Sequence, residues 1–218
     1  MLDVRPRKRS GQKPLKGTYT VLEPVDWDAN YLPFASTIVG GKNTSLWDYM
    51  SIGPFKTGES CLKEFGNVSR NNGWQIMMIR NLETNEIQGT ASFMRIRETY
   101  GSAEIGFVLF NPSLQKTRCA TEAIYLMIRH LFEDLNYRRV EWKCDNNNTP
   151  SKRAAKRFGF SYEGLFRQDL IVKGQNRDTA WFSIIDSEWS SLKQSFESWL
   201  SPDNFDFEGR QRKSLNTA

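Results

Sequence analysis

The chain is poor in the residues that carry most nucleophilic and metal chemistry. It has one histidine, His130, in 218 residues, and three cysteines, Cys61, Cys119 and Cys144. A Ser–His or Cys–His nucleophile pair would depend on His130 alone, and the pattern around it puts it on the surface flank of a helix. No Cys or His spacing suits zinc, so no metal is expected. The cysteines are odd in number and far apart, as reduced thiols in the cytosol or nucleus are. No apolar run approaches the roughly 18 residues of a membrane span. No apolar segment follows the basic start, so neither a secretory signal nor a membrane partner is expected.

Excess charge is also missing from most of the chain. The net charge is +5, and residues 1–16 account for it, with Arg5, Arg7, Lys8, Arg9, Lys13 and Lys16 against Asp3. The rest is balanced. A nucleic-acid-binding domain carries a basic surface, so no specific nucleic-acid binding is expected. A nucleic-acid adaptor acting through the basic arm is the weaker alternative. Residues 1–16 read as a disordered basic arm, 17–200 as one domain and 201–218 as a loose tail. The length suits one sizeable core.

What is present is a strong alternation of strand and helix patterns. Residues 18–23 read as a strand. Trp27, Asn30, Tyr31 and Phe34 share a helix face, with Asp26 as its cap. Residues 46–50 suit a short helix, and Ser60 suits the cap of another. Strand patterns at 74–80, 87–97 and 103–110, separated by turns, form an antiparallel meander. A long helix at about 119–135 follows, with Ala120, Ala123, Ile124, Met127, Ile128, Leu131, Phe132 and Leu135 at helical spacing. Residues 139–144 alternate as a half-buried strand. Thr149 and Pro150 open a short helix that Gly159 ends. Strands at about 165–172 and 179–185 precede a last helix at about 187–200.

One turn stands out. Gln115-Lys116-Thr117-Arg118-Cys119-Ala120 joins a strand to the start of the long helix. A helix start presents unpaired N–H groups and the positive end of the dipole, which suit a phosphate. Lys116 and Arg118 add charge beside them.

These elements, in this order, resemble the GNAT superfamily of acyl-CoA-dependent N-acetyltransferases, and most nearly the branch with the bacterial ribosomal-protein N-terminal (Rim-type) enzymes. The likeness covers about residues 17–190. It rests on Trp47-Asp48-Tyr49-Met50 with Gly53-Pro54-Phe55; on Glu104-Ile105-Gly106-Phe107-Val108-Leu109 running into Gln115–Ala120 and Thr121-Glu122-Ala123; and on Asn148-Thr149-Pro150-Ser151 with Arg157-Phe158-Gly159-Phe160 and Glu163-Gly164. The resemblance implies an α/β GNAT fold: a mixed, mostly antiparallel twisted sheet with a splayed central strand, flanked by helices. It implies acetyl-CoA as co-substrate, held by Gln115, Lys116, Thr117, Arg118, Cys119 and Ala120, with Phe107, Val108 and Leu109 nearest the thioester and Asn148 on the pantetheine arm. Ser151 is the implied general acid. Trp47, Tyr49 and Phe55 lie where relatives build the acceptor wall.

Two positions depart from that pattern. Arg118 stands where the family's turn has its central glycine. Leu170 stands where some relatives place a catalytic Glu, and strand alternation would turn the neighbouring Asp169 to the opposite face. Glu104 is therefore the first candidate base, acting through water, with Asp169 second. Without a strong base, the cost of deprotonation favours low-pKa amines: about 1.4 kcal/mol at pH 7 for an α-amine against about 4.6 for a lysine. The expected function is direct acetyl transfer to an amine, a protein N-terminus or a small molecule, by a cytoplasmic or nuclear monomer or homodimer. The alternative is a non-catalytic GNAT-like module that binds acyl-CoA or protein.

Overall fold

The computed structural model describes residues 5–215. One eight-stranded sheet runs through it. Its strands are β1 (Leu15–Lys16), β2 (Thr20–Pro24), β3 (Gln75–Asn81), β4 (Ile87–Arg97), β5 (Ser102–Phe110), β6 (Arg139–Asp145), β7 (Ser161–Val172) and β8 (Gln175–Ile185). The spatial order is β1-β2-β3-β4-β5-β6-β8-β7. Every neighbouring pair is antiparallel except β5–β6. The expected mixed, mostly antiparallel fold is thus the observed one.

The β5–β6 pair places the site. It holds register at Ser102–Arg139, Ala103–Val140 and Glu104–Glu141 and then ends. Beyond Glu104 the two strands part. Inside β5 a bulge opposes two residues, Phe107 and Val108, to Ala91 of β4. Phe107 takes a φ of 48° there. Such a bulge bends a strand and breaks its ladder. Gly106 permits the bend, since a Cβ would stand 2.7 Å from Met94 Sδ and 2.8 Å from Glu104 Oε1.

Alternation sorts the two faces. Ala103 and Ile105 of β5 and Val140 and Trp142 of β6 face α3 (Arg118–Arg129), α4 (Thr149–Arg157) and α5 (Asp186–Leu200), forming the larger core. The residues from Ala120 to Ile128 are all buried, because α3 lies between the sheet and α5. On the other face, α1 (Leu32–Ser36), a 3₁₀ turn (Gly41–Trp47) and α2 (Gly58–Asn72) cover only one end of the sheet. Their core joins Phe34, Trp47 and Phe65 to Met78 and Leu109. The buried carboxylate of Glu122 on α3 accepts the amides of Thr18, Tyr19 and Thr20 at 2.7–2.8 Å, which ties β2 to the helix.

Several local expectations change. Of the arm expected to be disordered, residues 1–4 lie outside the described residues; most of residues 5–16 are exposed, but three of them are packed against the domain. Ser10 is buried, Gly11 fits against Gln75 and Phe93, and Leu15 enters the core. Arg9 bonds Glu98 and the Gly73 carbonyl. Residues 216–218 of the tail likewise lie outside the described residues, but Leu215 is in the core and Asn204 bonds the Trp199 and Lys213 carbonyls. Each segment is anchored by one or two apolar side chains, too few to alter its composition. Helix α1 starts at Leu32 with Pro33 in its first turn, where no N–H is needed and from which the helix cannot extend back a further turn, so Asp26 caps only its own turn and Trp27 is exposed. Thr57, not Ser60, caps α2, and Asn148, not Thr149, caps α4. His130, expected on the surface, is 2% exposed. It continues α3 with ordinary helical angles and opens a π turn, His130–Asp134, and its Nδ1 lies 2.7 Å from Asp134.

Candidate functional site

The site is built around the gap between β5 and β6. At its closed end sits Glu104, 2% exposed on the face away from α3. Lys143 Nζ lies 3.2 Å from Glu104 Oε2, and Arg95 Nε lies 3.8 Å away. Burial pushes the Glu104 carboxyl up to about 7, although Lys143 and Arg95 pull it down. A carboxyl that titrates near neutrality suits proton transfer at physiological pH.

The other end of β5 leads into the turn. Leu114 N donates to the Asn111 side chain at 3.0 Å and Gln115 Nε2 to the Phe110 carbonyl at 3.2 Å. Lys116 takes the left-handed conformation, φ 62°. Thr117 is the N-cap of α3, its hydroxyl accepting from Ala120 N at 3.1 Å and its carbonyl from Thr121 N at 3.3 Å. Among the described residues the amides of Arg118 and Cys119 have no hydrogen-bond partner. Arg118 is the first residue of α3 and so needs only ordinary helical angles. Its guanidinium lies between the rings of Tyr19 and Phe205, at 4.7 and 4.6 Å. It is held by aromatics, not extended over the turn. Cys119 donates its thiol to the Tyr19 carbonyl at 3.4 Å, and burial raises its pKa to about 11, which makes it a poor nucleophile.

On the β6 side, Asn148 Oδ1 accepts from Ser151 N at 3.0 Å. The Ser151 hydroxyl lies 3.0 Å from Trp142 Nε1. An indole N–H only donates, so Ser151 Oγ accepts from Trp142, and the Cys144 thiol is a second hydrogen-bonding neighbour of the same hydroxyl. The aromatic trio divides. Trp47 is 1% exposed and its indole N–H is used on the Ile38 carbonyl at 2.8 Å, so it is core. Phe55 packs edge-on against it at 4.9 Å. Tyr49 is exposed, and its hydroxyl donates to the Asn147 carbonyl at 3.1 Å. It spans from the helical layer packed on β5 to the loop after β6. Lys173, at the β7–β8 turn, donates to the Trp47 carbonyl at 2.7 Å and ties a second element to the same layer.

Next to Glu104 the open face of the sheet carries a cleft of about 380 Å³, lined by residues including Arg95, Glu141, Phe166, Asp169 and Trp181. Two bulges shape it. In β4, Arg95 and Ile96 oppose only Ala103, with Arg95 at φ 44°. In β7, three residues stand opposite Asp178, with Gln168 at φ 49° and its amide on Asp178 Oδ1. That bulge breaks the alternation expected of the strand and brings Asp169 onto the cleft with Phe166. Sequence reasoning missed Arg95, because nothing in Met94-Arg95-Ile96-Arg97 signals a left-handed residue. Among the described residues no cluster of three or more His, Cys, Asp or Glu could hold a metal ion, and no helix is long and apolar enough to cross a membrane.

The strand pair thus parts above a buried carboxylate, with a helix start at the mouth of the gap. The comparisons agree with the geometry: the acetyltransferase (GNAT) domain family matches residues 35–161, and the chain belongs to that family. It is 32% identical over 145 residues to the uncharacterized N-acetyltransferase p20 of Bacillus licheniformis, covering 65% of this chain and 81% of that one. It is 31% identical over 124 residues to the ribosomal-protein-serine acetyltransferase of Escherichia coli, covering 56% of this chain and 69% of the other. Among solved structures, a GCN5-related N-acetyltransferase from Brucella melitensis superposes with a TM-score of 0.92 at 37% identity, covering 96% and 95% of the two chains. These relatives are bacterial, which leaves the nuclear alternative without support.

Proposed function

We propose that the protein transfers an acetyl group from acetyl-CoA to a primary amine by direct attack within a ternary complex. The observation that carries this reading is the parting of β5 from β6 directly after Glu104, with the head of α3 at the open end. The residues present fit acetyl-CoA. The unpartnered amides of Arg118 and Cys119 and the ammonium of Lys116 suit its pyrophosphate, with Gln115, Thr117 and Ala120 shaping the turn. Asn148 stands across the gap. When bound, acetyl-CoA supplies an acetyl thioester, an acyl group already activated for attack.

The chain's own groups then have separate tasks. The backbone of Phe107, Val108 and Leu109, released from pairing with β6, offers donors for the developing oxyanion; such a donor is worth about 3–4 kcal/mol. Glu104, ionised above pH 7, takes the proton of the ammonium through water. The free amine forms the N–C bond, the C–S bond breaks, Ser151 donates its proton to the leaving thiolate, and the surplus proton on the attacking nitrogen passes to the Ser151 oxygen, which regenerates the hydroxyl. Tyr49 and Phe55 bound the acceptor's approach, while Trp47 supports them from the core. Cys119 is spent on Tyr19, and the one histidine pairs with Asp134, so no covalent acyl-enzyme is invoked. Arg118 motivated the non-catalytic alternative, but its helical position and aromatic stacking leave the turn intact, which favours the enzyme. The test is release of CoA thiol across a panel of amines. Amine-dependent release that falls at least 100-fold in Glu104→Gln supports the reading. Acetyl-CoA binding with no thiol release on any amine refutes it in favour of a binding module.

A further inference from the structure

The charged groups on the open face are not equally engaged. Arg97 and Arg139 both hydrogen-bond Glu141, Arg139 also grips both oxygens of Glu163 at 2.6 Å, and Lys143 is paired with Glu104. Arg95 differs. Its approaches to Glu104 and Glu141 are 3.8 and 3.9 Å, beyond hydrogen-bond reach, and its guanidinium makes no hydrogen bond among the described residues. Its side chain is 44% exposed. It lies over the ring of Trp181 at 5.1 Å, and Phe166 packs on that ring at 5.0 Å. The bulge holds its backbone at φ 44°, a conformation uncommon outside glycine. A packing role alone would not need an extra residue in β4 to aim a charge into a cleft.

The same cleft receives Asp169, which has no ion-pair partner within 4.0 Å among the described residues. The cleft therefore offers one cation whose two ion pairs, to Glu104 and Glu141, are long and leave its guanidinium without a hydrogen bond, and one anion with no ion pair among the described residues. A ligand of single charge satisfies one and faces the other. A ligand that bears both a carboxylate and an ammonium satisfies both. A planar guanidinium fork suits a carboxylate in particular, and the Trp181 ring, 5.1 Å from Arg95 Cζ, holds the charge at the cleft.

Resting on the acetyl-transfer reading above, we propose that Arg95 selects the acceptor by binding a carboxylate that the amine substrate itself carries a few bonds from its amino group. Asp169 meets the ammonium on its way to Glu104. Two sources share this chemistry: a free amino acid, and a polypeptide N-terminus with an acidic first residue. Matched pairs separate them. Alanine against alanine amide tests the amino acid. The amidated peptide Asp-Ala-Ala against Asn-Ala-Ala tests the polypeptide.

The experiment measures CoA thiol release by the full chain on all four acceptors, in the wild type, Arg95→Gln and Arg95→Lys. Acetyl-CoA affinity and the melting temperature serve as the check that each variant is folded. In one of the two pairs the charged member is favoured about 10- to 100-fold in kcat/KM by the wild type, chiefly through KM, as a charge-assisted fork predicts. Arg95→Gln brings that ratio near one, and Arg95→Lys restores part of it. Equal use of both members of each pair, preference for the neutral members, or a preference that survives in Arg95→Gln overturns the inference while leaving acetyl transfer standing. Acetyl-CoA binding with no amine acetylated overturns the transfer reading and this inference together.

Discussion

Replacing Lys143 with methionine should move the acid limb of the pH–rate profile upward. Glu104 is held near pH 7 by two opposed effects. Burial raises its pKa and is the larger; the Lys143 ammonium, 3.2 Å away, is the first of those that lower it. Lys143 Nζ also lies 5.0 Å over the Trp181 ring, and methionine keeps most of that side-chain length while removing the charge. A hydrogen bond to a charged group is worth about 1.5–3 kcal/mol, and one pKa unit is about 1.4 kcal/mol. The Glu104 pKa should therefore rise by about 1–2 units. A base works when ionised, so kcat/KM in the variant should climb through about pH 8–9 instead of about 7. Thiol release followed from pH 5.5 to 10 reads this directly. The acceptor amine also titrates, so the profile is repeated with amines of different pKa; the limb that stays put belongs to the enzyme. An enzyme limb that is unmoved or falls in Lys143→Met would refute the assignment of Glu104 as the base.

Other expectations are more local. The raised pKa means that the folded state favours the protonated form of Glu104, so its contribution to stability is full below about pH 4.5 and is lost as pH rises through about 7; melts at pH 5 and pH 8 should show a larger fall for the wild type than for Glu104→Gln. Ser151→Ala should lower kcat by about 100-fold with little change in KM for acetyl-CoA, measured by initial rates, since a general acid acts only as the thiolate leaves. Glu122→Ala strands the amides of Thr18, Tyr19 and Thr20 and should cost about 3 kcal/mol, a fall in Tm of about 6–12 °C by calorimetry. Arg118→Ala should cost about 1–2 kcal/mol through the lost stacking on Tyr19 and Phe205, read by denaturant unfolding.

The parts of this molecule governed by period were legible from sequence. The β3–β4–β5 meander, the apolar stripe of α3 and the alternation of β6 follow from residues that face one core, and the strand–turn–helix unit at 115–120 was visible as a helix start. What stayed hidden was set by single departures from period. Arg95, Phe107 and Gln168 take positive φ inside strands, and none is a glycine or lies in a turn motif. The bulge at Gln168 alone reverses the face assigned to Asp169. His130 is buried because the flank of α3 that carries it packs against Phe93 of β4. The packed residues of the N-terminal arm were hidden for another reason: their anchors, Ser10 and Leu15, lie in a basic, Pro- and Gly-punctuated segment whose average composition reads as unfolded. Trp47 was expected with Tyr49 and Phe55 on the acceptor wall, and only the structure separates it, as core, from the exposed Tyr49.

The most direct test of the account is calorimetry of acetyl-CoA binding to the wild type and to Lys116→Glu, a reversal of charge on an exposed turn residue beside the head of α3. The account predicts micromolar binding by the wild type and a loss of at least tenfold in the variant, with the melting temperature of the free protein unchanged. No binding by the wild type, or equal binding by the variant, would contradict the placement of acetyl-CoA at this turn.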